Sequence, residues 1–196
     1  GINILPGTQY HFDRPFVASY QKVQEGLIGS IISGYAYYHT GRDQYIVRRP
    51  EWSDMEYMIR GHFNWNWVNG DQISNMLIHW IDVFNWFTQL KPVNVIAYGS
   101  RIRKNIGNVY DNFSMHFEYE NGVMLEGMVR RIDGCDNGAG IVIQARGIAV
   151  TFPSVTGTGK QSGNTIRKLP SRNSKYTTCI PLNTSCWSII SGKGQC

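Results

Sequence analysis

The chain has 196 residues, of which 42% are apolar and 13% aromatic, so it can build a packed domain and is too apolar for a disordered chain. Its net charge of +5 is mild and its basic residues are scattered, which argues against a nucleic-acid-binding protein. No apolar run reaches the roughly 20 residues that cross a bilayer, and the first residues lack the charged region of a signal peptide.

The first part of the chain combines helical and extended patterns. Pro15 suits the first turn of a helix, and Gly26 suits the position after its end. The predicted elements are a short strand at 2–6, a helix at 14–25, a strand at 27–39 and a short helix at 54–60 capped by Asp54.

The second part begins with the strongest predicted helix, 71–88, and continues with strands. The Asn121-Gly122 pair between two alternating runs is typical of a hairpin turn. The predicted strands are 93–103, 111–120, 123–132 and a hairpin over 139–152. Early helices followed by consecutive strands predict an α+β fold, with a mostly antiparallel open sheet and helices packed on one face.

Helix 71–88 is apolar on almost every side, which predicts that it is buried. Asn75, His79 and Asp82 nevertheless follow one another at spacings of four and three, so they share one stripe. Buried polar groups destabilise a fold unless they are hydrogen-bonded. Two interpretations remain open: a structural His–Asp pair that anchors the helix to a loop, or a pocket in which His79 donates or accepts a proton.

Four stretches in the same order resemble the glucose–fructose oxidoreductase and inositol dehydrogenase (Gfo/Idh/MocA) family. The run from Gly70 to Asp82 resembles a family helix with the pattern Asp-x-x-x-His-x-x-Asp. The other three stretches are Gly26-Leu27-Ile28-Gly29-Ser30-Ile31, Arg49-Pro50 with Ser53-Asp54-Met55-Glu56-Tyr57, and Tyr110-Asp111-Asn112 with Tyr119-Glu120-Asn121-Gly122. The resemblance covers about residues 4–150.

The resemblance implies the C-terminal domain of such an oxidoreductase, of the glyceraldehyde-3-phosphate dehydrogenase-like type. In the family a separate Rossmann domain binds NAD(P) and supplies a lysine for proton transfer, and this sequence contains neither piece. We therefore expect NAD(P) for the full-length protein and no cofactor for this chain. The expected division is a remnant strand and linker at 1–10, an α+β substrate and oligomerisation domain at 11–152, and a divergent C-terminal extension at 153–196.

The resemblance also implies roles for particular residues. His79 is the expected catalytic residue, and Arg49, Trp52 and Asp82 are the expected substrate-binding residues. Asn75 stands where members carry an acidic residue, and because an amide takes up no proton, an acid–base pair with His79 is weakened. Leu77 stands at a usual glycine and narrows the approach to the backbone.

Several other features allow two interpretations. Arg48, Arg49 and Arg60 fit either an acidic sugar or phosphate, or a solvated loop. The tryptophans fit either sugar stacking or core packing. The basic pairs on the predicted strands have no nucleic-acid-binding motif beside them, and no histidine spacing suggests a metal site. The tryptophans in question are Trp52, Trp65 and Trp67, and the basic strand residues include Arg130 and Arg131. Cys179 and Cys186 fit free thiols better than a disulfide.

The leading functional hypothesis is a domain of an NAD(P)-dependent oxidoreductase that acts on a sugar or polyol, inactive as this fragment. The alternative is a non-catalytic binding or assembly domain that oligomerises through its sheet face. Expected partners are a small-molecule sugar or polyol and a second copy of the chain, without nucleic acid or membrane. The cytoplasm is the favoured compartment, with the periplasm as the alternative.

Overall fold

The computed structural model describes residues 1–4, 7–41, 46–103, 106–146, 148–153, 165–168 and 178–181. These residues form one eight-stranded sheet and several helices. The α-helices are α1 (Arg14–Gln24), α2 (Asp54–Arg60), α3 (Asn66–Asn69) and α4 (Ile78–Thr88), and a π-helical turn (Ile73–Leu77) leads into α4. The strands are β1 (Ile31–Thr40), β2 (Pro92–Ser100), β3 (Asn112–Tyr119), β4 (Met124–Arg131), β5 (Gly138–Ala145), β6 (Ile148–Pro153), β7 (Thr165–Lys168) and β8 (Thr178–Pro181).

The sheet is mostly antiparallel, as the sequence predicted. Its strand order is β2-β3-β4-β1-β5-β6-β7-β8. Among the described pairs, β1 and β4 run parallel and the remaining neighbours run antiparallel. The α+β class with an open sheet is therefore confirmed.

The core lies between one face of this sheet and the helices α1 and α4. Inward-facing residues alternate along β3, β4 and β5, and they pack against Trp80, Phe84 and Phe87 of α4. Two strand glycines allow close approach of the helical segment. A Cβ atom at Gly34 would collide with the ring of Phe84, and one at Gly127 would lie 2.8 Å from Cδ2 of Leu77. The helical segment therefore sits directly on β1 and β4.

The structure differs locally from the predicted elements. The short helix 54–60 is confirmed, but its cap is Ser53, whose Oγ accepts the N–H of Glu56 at 3.2 Å, and not Asp54. The predicted helix 71–88 opens with the π-helical turn. Residues 2–4 of the predicted first strand lie in no strand. The hairpin turn is confirmed, because Asn121 and Gly122 both have positive φ.

The sheet continues past residue 152. Strands β7 and β8 add to β6, so parts of the segment that we set apart as an extension belong to the same sheet. Cys135 is an exposed free thiol, whereas the side chains of Cys179 and Cys186 lie outside the described residues. None of the helices in the described part of the chain is long and apolar enough to span a bilayer.

Candidate functional site

The candidate site begins at a strained turn before the π-helical segment. Gly70 and Asp71 both have φ of 71°, a conformation that is unfavourable for a side chain such as that of Asp71. The Asp71 carboxylate compensates by accepting the N–H groups of Gln72 at 2.7 Å and Tyr110 at 3.2 Å. This carboxylate therefore fixes the start of the helical segment and joins it to the loop before β3.

His79 lies in the first turn of α4 and is half-buried. The ring of Tyr10 meets it edge-on, with centroids 6.2 Å apart. The Nδ1 atom is buried and has no hydrogen-bond partner among the described residues. Burial lowers the pKa of His79 below its usual value, and the nearby Asp82 carboxylate opposes this shift only in part. The side chain of His79 is thus partly accessible to solvent.

Asp82 contacts a different histidine from the one that its spacing suggested. Its Oδ2 lies 2.8 Å from Nε2 of His11, in the 3₁₀ turn Gln9–Phe12. The His11 ring also stacks on Trp86 with a centroid distance of 4.2 Å. Asp82 therefore ties the segment before α1 to α4. Sequence reasoning missed His11, because the partners are separated by 71 positions in the sequence and leave no local signal.

Tyr10 reinforces the same attachment. Its ring stacks on Phe16 at 4.5 Å and on Trp80 at 4.8 Å, in addition to its contact with His79. Stacked aromatic pairs of this kind stabilise by about 0.5–1.5 kcal/mol beyond the area that they bury. The turn at 9–12 is consequently part of the wall around His79.

The two residues at which the sequence departs from the family pattern, Asn75 and Leu77, have different surroundings. Asn75 donates a hydrogen bond from Nδ2 to Oδ1 of Asn69. Leu77 is fully buried over Gly127, so it closes the space below the helical segment. Asn75 therefore contacts the preceding loop, and Leu77 belongs to the core.

Arg49 and Trp52 form a separate cluster around α2. The guanidinium carbons of Arg49 and Arg60 lie 5.4 and 4.9 Å from the centroid of the Trp52 ring. Arg48 pairs with Asp54 at 2.6 Å, and Arg60 pairs with Glu56 at 2.9 Å. No hydrogen bond, ion pair or ring contact within the described residues joins this cluster to His79. The structure therefore does not bring the four predicted site residues together.

Arg131, which the sequence placed in a basic pair with Arg130, is a buried cation. It is fully buried, donates to Oε1 of Gln72 at 3.1 Å, and lies 4.5 Å from the centroid of Phe63. Burial lowers its pKa to about 10. Arg130, its neighbour in β4, faces the opposite side of the sheet and donates to the carbonyl of Asp136. The two arginines therefore do not form a common basic surface.

Neither a metal-ligand cluster nor the usual dinucleotide-binding turn occurs among the described residues. Within them, no group of three His, Cys, Asp or Glu side chains could hold a metal. In the same stretches, no glycine-rich turn leads from a strand into the N-terminus of a long helix, which is how a dinucleotide phosphate is held. Gly157 and Gly159 lie outside the described residues.

Comparison with known proteins identifies the family. The sequence model of the GFO/IDH/MocA C-terminal domain matches residues 16–133, which is more than half of the chain. The chain therefore belongs to the GFO/IDH/MocA family as a C-terminal domain. A search of curated proteins found no match.

Solved structures share the fold at low sequence identity. The super-repressor mutant of Gal80p from Saccharomyces cerevisiae has a TM-score of 0.67 and 14% identity, over 95% of this chain and 48% of that one. The aldose-aldose oxidoreductase from Caulobacter crescentus, complexed with glycerol, has a TM-score of 0.60 and 13% identity, over 92% and 48%. The WlbA dehydrogenase from Bordetella pertussis, in complex with NADH and UDP-GlcNAcA, has a TM-score of 0.63 and 15% identity, over 90% and 50%. The chain thus spans about half the length of these proteins.

Proposed function

We propose that this chain is the substrate-side domain of an NAD(P)-dependent oxidoreductase that acts on a sugar or polyol. The observation that supports the proposal most directly is His79, a half-buried imidazole on the family helix, walled by Tyr10 and positioned by a strained turn. The bound NADH and UDP-GlcNAcA of WlbA, and the glycerol of the aldose-aldose oxidoreductase, support a dinucleotide and a polyhydroxylated ligand for the complete protein.

In this proposal each residue of the candidate site has a separate role. His79 contacts an oxygen of the ligand, and Tyr10 limits the access of water to the imidazole. Asp82 acts through His11 and keeps the turn 9–12 on α4, so it is a positioning residue. Arg49 and Trp52 remain candidate ligand contacts at a second cluster. Dinucleotide binding falls to residues other than those described, and we predict that this chain by itself does not bind NAD(H).

The ligand proposal can be tested by saturation-transfer NMR on the chain with a panel of sugars and polyols. We expect at least one member of the panel to receive saturation from the protein and to lose it in His79→Ala. The matched control is His116→Ala, because His116 is exposed on the opposite face of the sheet. Binding that survives His79→Ala, or the absence of binding across the panel, would contradict the proposal.

A second function, self-association through the outer sheet face, is favoured by a different observation. The face turned away from the helices exposes large side chains between its polar ones, namely Tyr35, Ile96, Tyr98, Met124 and Met128. Extended apolar surface of this kind is typical of interfaces. We propose that a second copy covers it, which makes assembly the alternative role if no ligand binds.

A further inference from the structure

Among the described residues, no carboxylate is a partner of the inner nitrogen of His79. Asn75 is an amide and donates to Asn69, so it offers no negative charge. Asp82 is one turn further along the helix, and its Oδ2 is bonded to Nε2 of His11. A histidine that acts as a proton acceptor usually carries a proton on the opposite ring nitrogen, held by a carboxylate or carbonyl. That arrangement is missing here.

The two ring nitrogens of His79 differ in their surroundings. Nδ1 is buried without a partner among the described residues. Nε2 is not among the buried nitrogens that lack a partner, and the side chain is only half-buried, so Nε2 is the ring nitrogen on the more accessible side. A proton on Nδ1 would leave a buried N–H without an acceptor, which costs about 1–3 kcal/mol. A lone pair at that position is tolerated better, because buried N–H groups without an acceptor are rarer in proteins than buried acceptors without a donor.

We propose that His79 is held as the neutral tautomer with its proton on Nε2, and that it donates a hydrogen bond to a carbonyl or hydroxyl oxygen of the ligand instead of accepting a proton. The inference rests on the proposed function for the identity of the ligand, but the tautomer itself does not. No bond is made or broken at the imidazole in this role. Proton transfer to or from the ligand would then require a group other than His79.

The charged and titratable neighbours of His79 agree with this role. Asp82 lies on the same helix and is engaged by His11, and Tyr10 presents a ring edge from the turn 9–12. A second proton on the imidazole would place a charged N–H in the buried position of Nδ1. The lowered pKa of His79 reflects that cost.

The tautomer can be measured directly on this chain without any ligand. Two-bond ¹H–¹⁵N correlation of the ¹⁵N-labelled protein near pH 7.5 distinguishes a protonated from an unprotonated ring nitrogen, and His79→Gln assigns the signals. We expect Nε2 to be protonated, Nδ1 to be unprotonated, and the ring to take up its second proton only below about pH 6.5. An Nδ1–H tautomer, or a ring that is cationic at neutral pH, would overturn the proposal.

A substitution that supplies the missing carboxylate gives a second test. Asn75→Asp should move the proton to Nδ1 and raise the pKa of His79, because a nearby carboxylate favours the charged imidazole. The matched control is Ser74→Asp, which adds the same charge at the adjacent exposed position and should leave the tautomer unchanged. If both variants change the tautomer of His79, or if neither variant does, the inference about the missing partner is wrong. Should Asn75→Asp not fold, the wild-type spectrum alone still decides.

The outcome is separable from that of the proposed function. An Nε2–H tautomer without sugar binding would leave this inference standing and contradict the proposed ligand. Sugar binding with an Nδ1–H tautomer would overturn this inference and support the proposed ligand.

Discussion

At the residue scale, three polar side chains lie on the largely buried helical segment, and each has different contacts. Asn75, His79 and Asp82 do lie on the buried helical segment, because their spacing follows the helical repeat. The partner of Asp82 is His11, which contacts it only after the chain has folded. No spacing rule encodes a contact between residues so far apart in sequence, so the site could be located but not assembled from sequence.

The His11–Asp82 contact should be measurable as a coupling energy. The two side chains retain 36% and 28% of their exposure, so we expect the double-mutant cycle of His11→Gln and Asp82→Asn to give about 0.5–1 kcal/mol. Urea unfolding of the four proteins provides the measurement. Strictly additive effects would show that the pair does not hold the turn 9–12 on α4.

Stability should decrease as the pH falls through the range in which unfolded histidine titrates. Burial lowers the pKa of both His39 and His79 in the folded protein, and Arg130 lowers that of His39 further. The unfolded chain therefore takes up protons at these positions from about pH 6.5 downward, before the folded chain does, and this favours unfolding. We expect the drop in Tm between pH 7.5 and 5.5 to be smaller by a few degrees in the double variant His39→Gln, His79→Gln. An equal drop in Tm in the wild-type protein and the double variant would contradict the lowered pKa values of His39 and His79.

At the element scale, the sequence was most informative where local chemistry decides the structure. The short helix 54–60 and the Asn121-Gly122 turn follow from capping and left-handed backbone preferences. The π-helical turn was not predictable, because it depends on the Asp71 contacts and on the packing of Leu77 over Gly127. Local propensity therefore determined where these elements begin and end. Tertiary packing determined the π-helical turn beside the candidate site.

The close packing of α4 on β1 predicts a specific sensitivity to added volume. In Gly34→Ala the new Cβ would collide with the Phe84 ring and lie 3.1 Å from Cδ1 of Leu125, so we expect destabilisation of about 1–3 kcal/mol. Gly138→Ala is the matched control, because its Cβ would lie 3.4 Å from the Tyr37 ring, an ordinary contact. Thermal unfolding compares the two. Equal Tm values would show that the helix can move away from the sheet at little cost.

At the scale of the whole molecule, the outer sheet face predicts self-association. A two-fold interface there should bury on the order of 1,000 Å² or more. We expect light scattering at tens of micromolar to give the mass of a dimer or larger assembly, and Met128→Lys to shift it toward the monomer. Met55→Lys is the control, because Met55 is also exposed but lies on α2. A monomeric wild-type protein would contradict the prediction.

The central claim, that His79 faces a sugar or polyol, is tested most directly by observing its imidazole during a ligand titration. The chain would be titrated with the sugars and polyols of the panel while the His79 ring signals are followed by NMR. The account predicts a saturable shift of the Nε2–H signal for at least one ligand, with the signals of His116 unchanged. A ligand that binds saturably without affecting His79, or a His79 signal that no ligand moves, would contradict it.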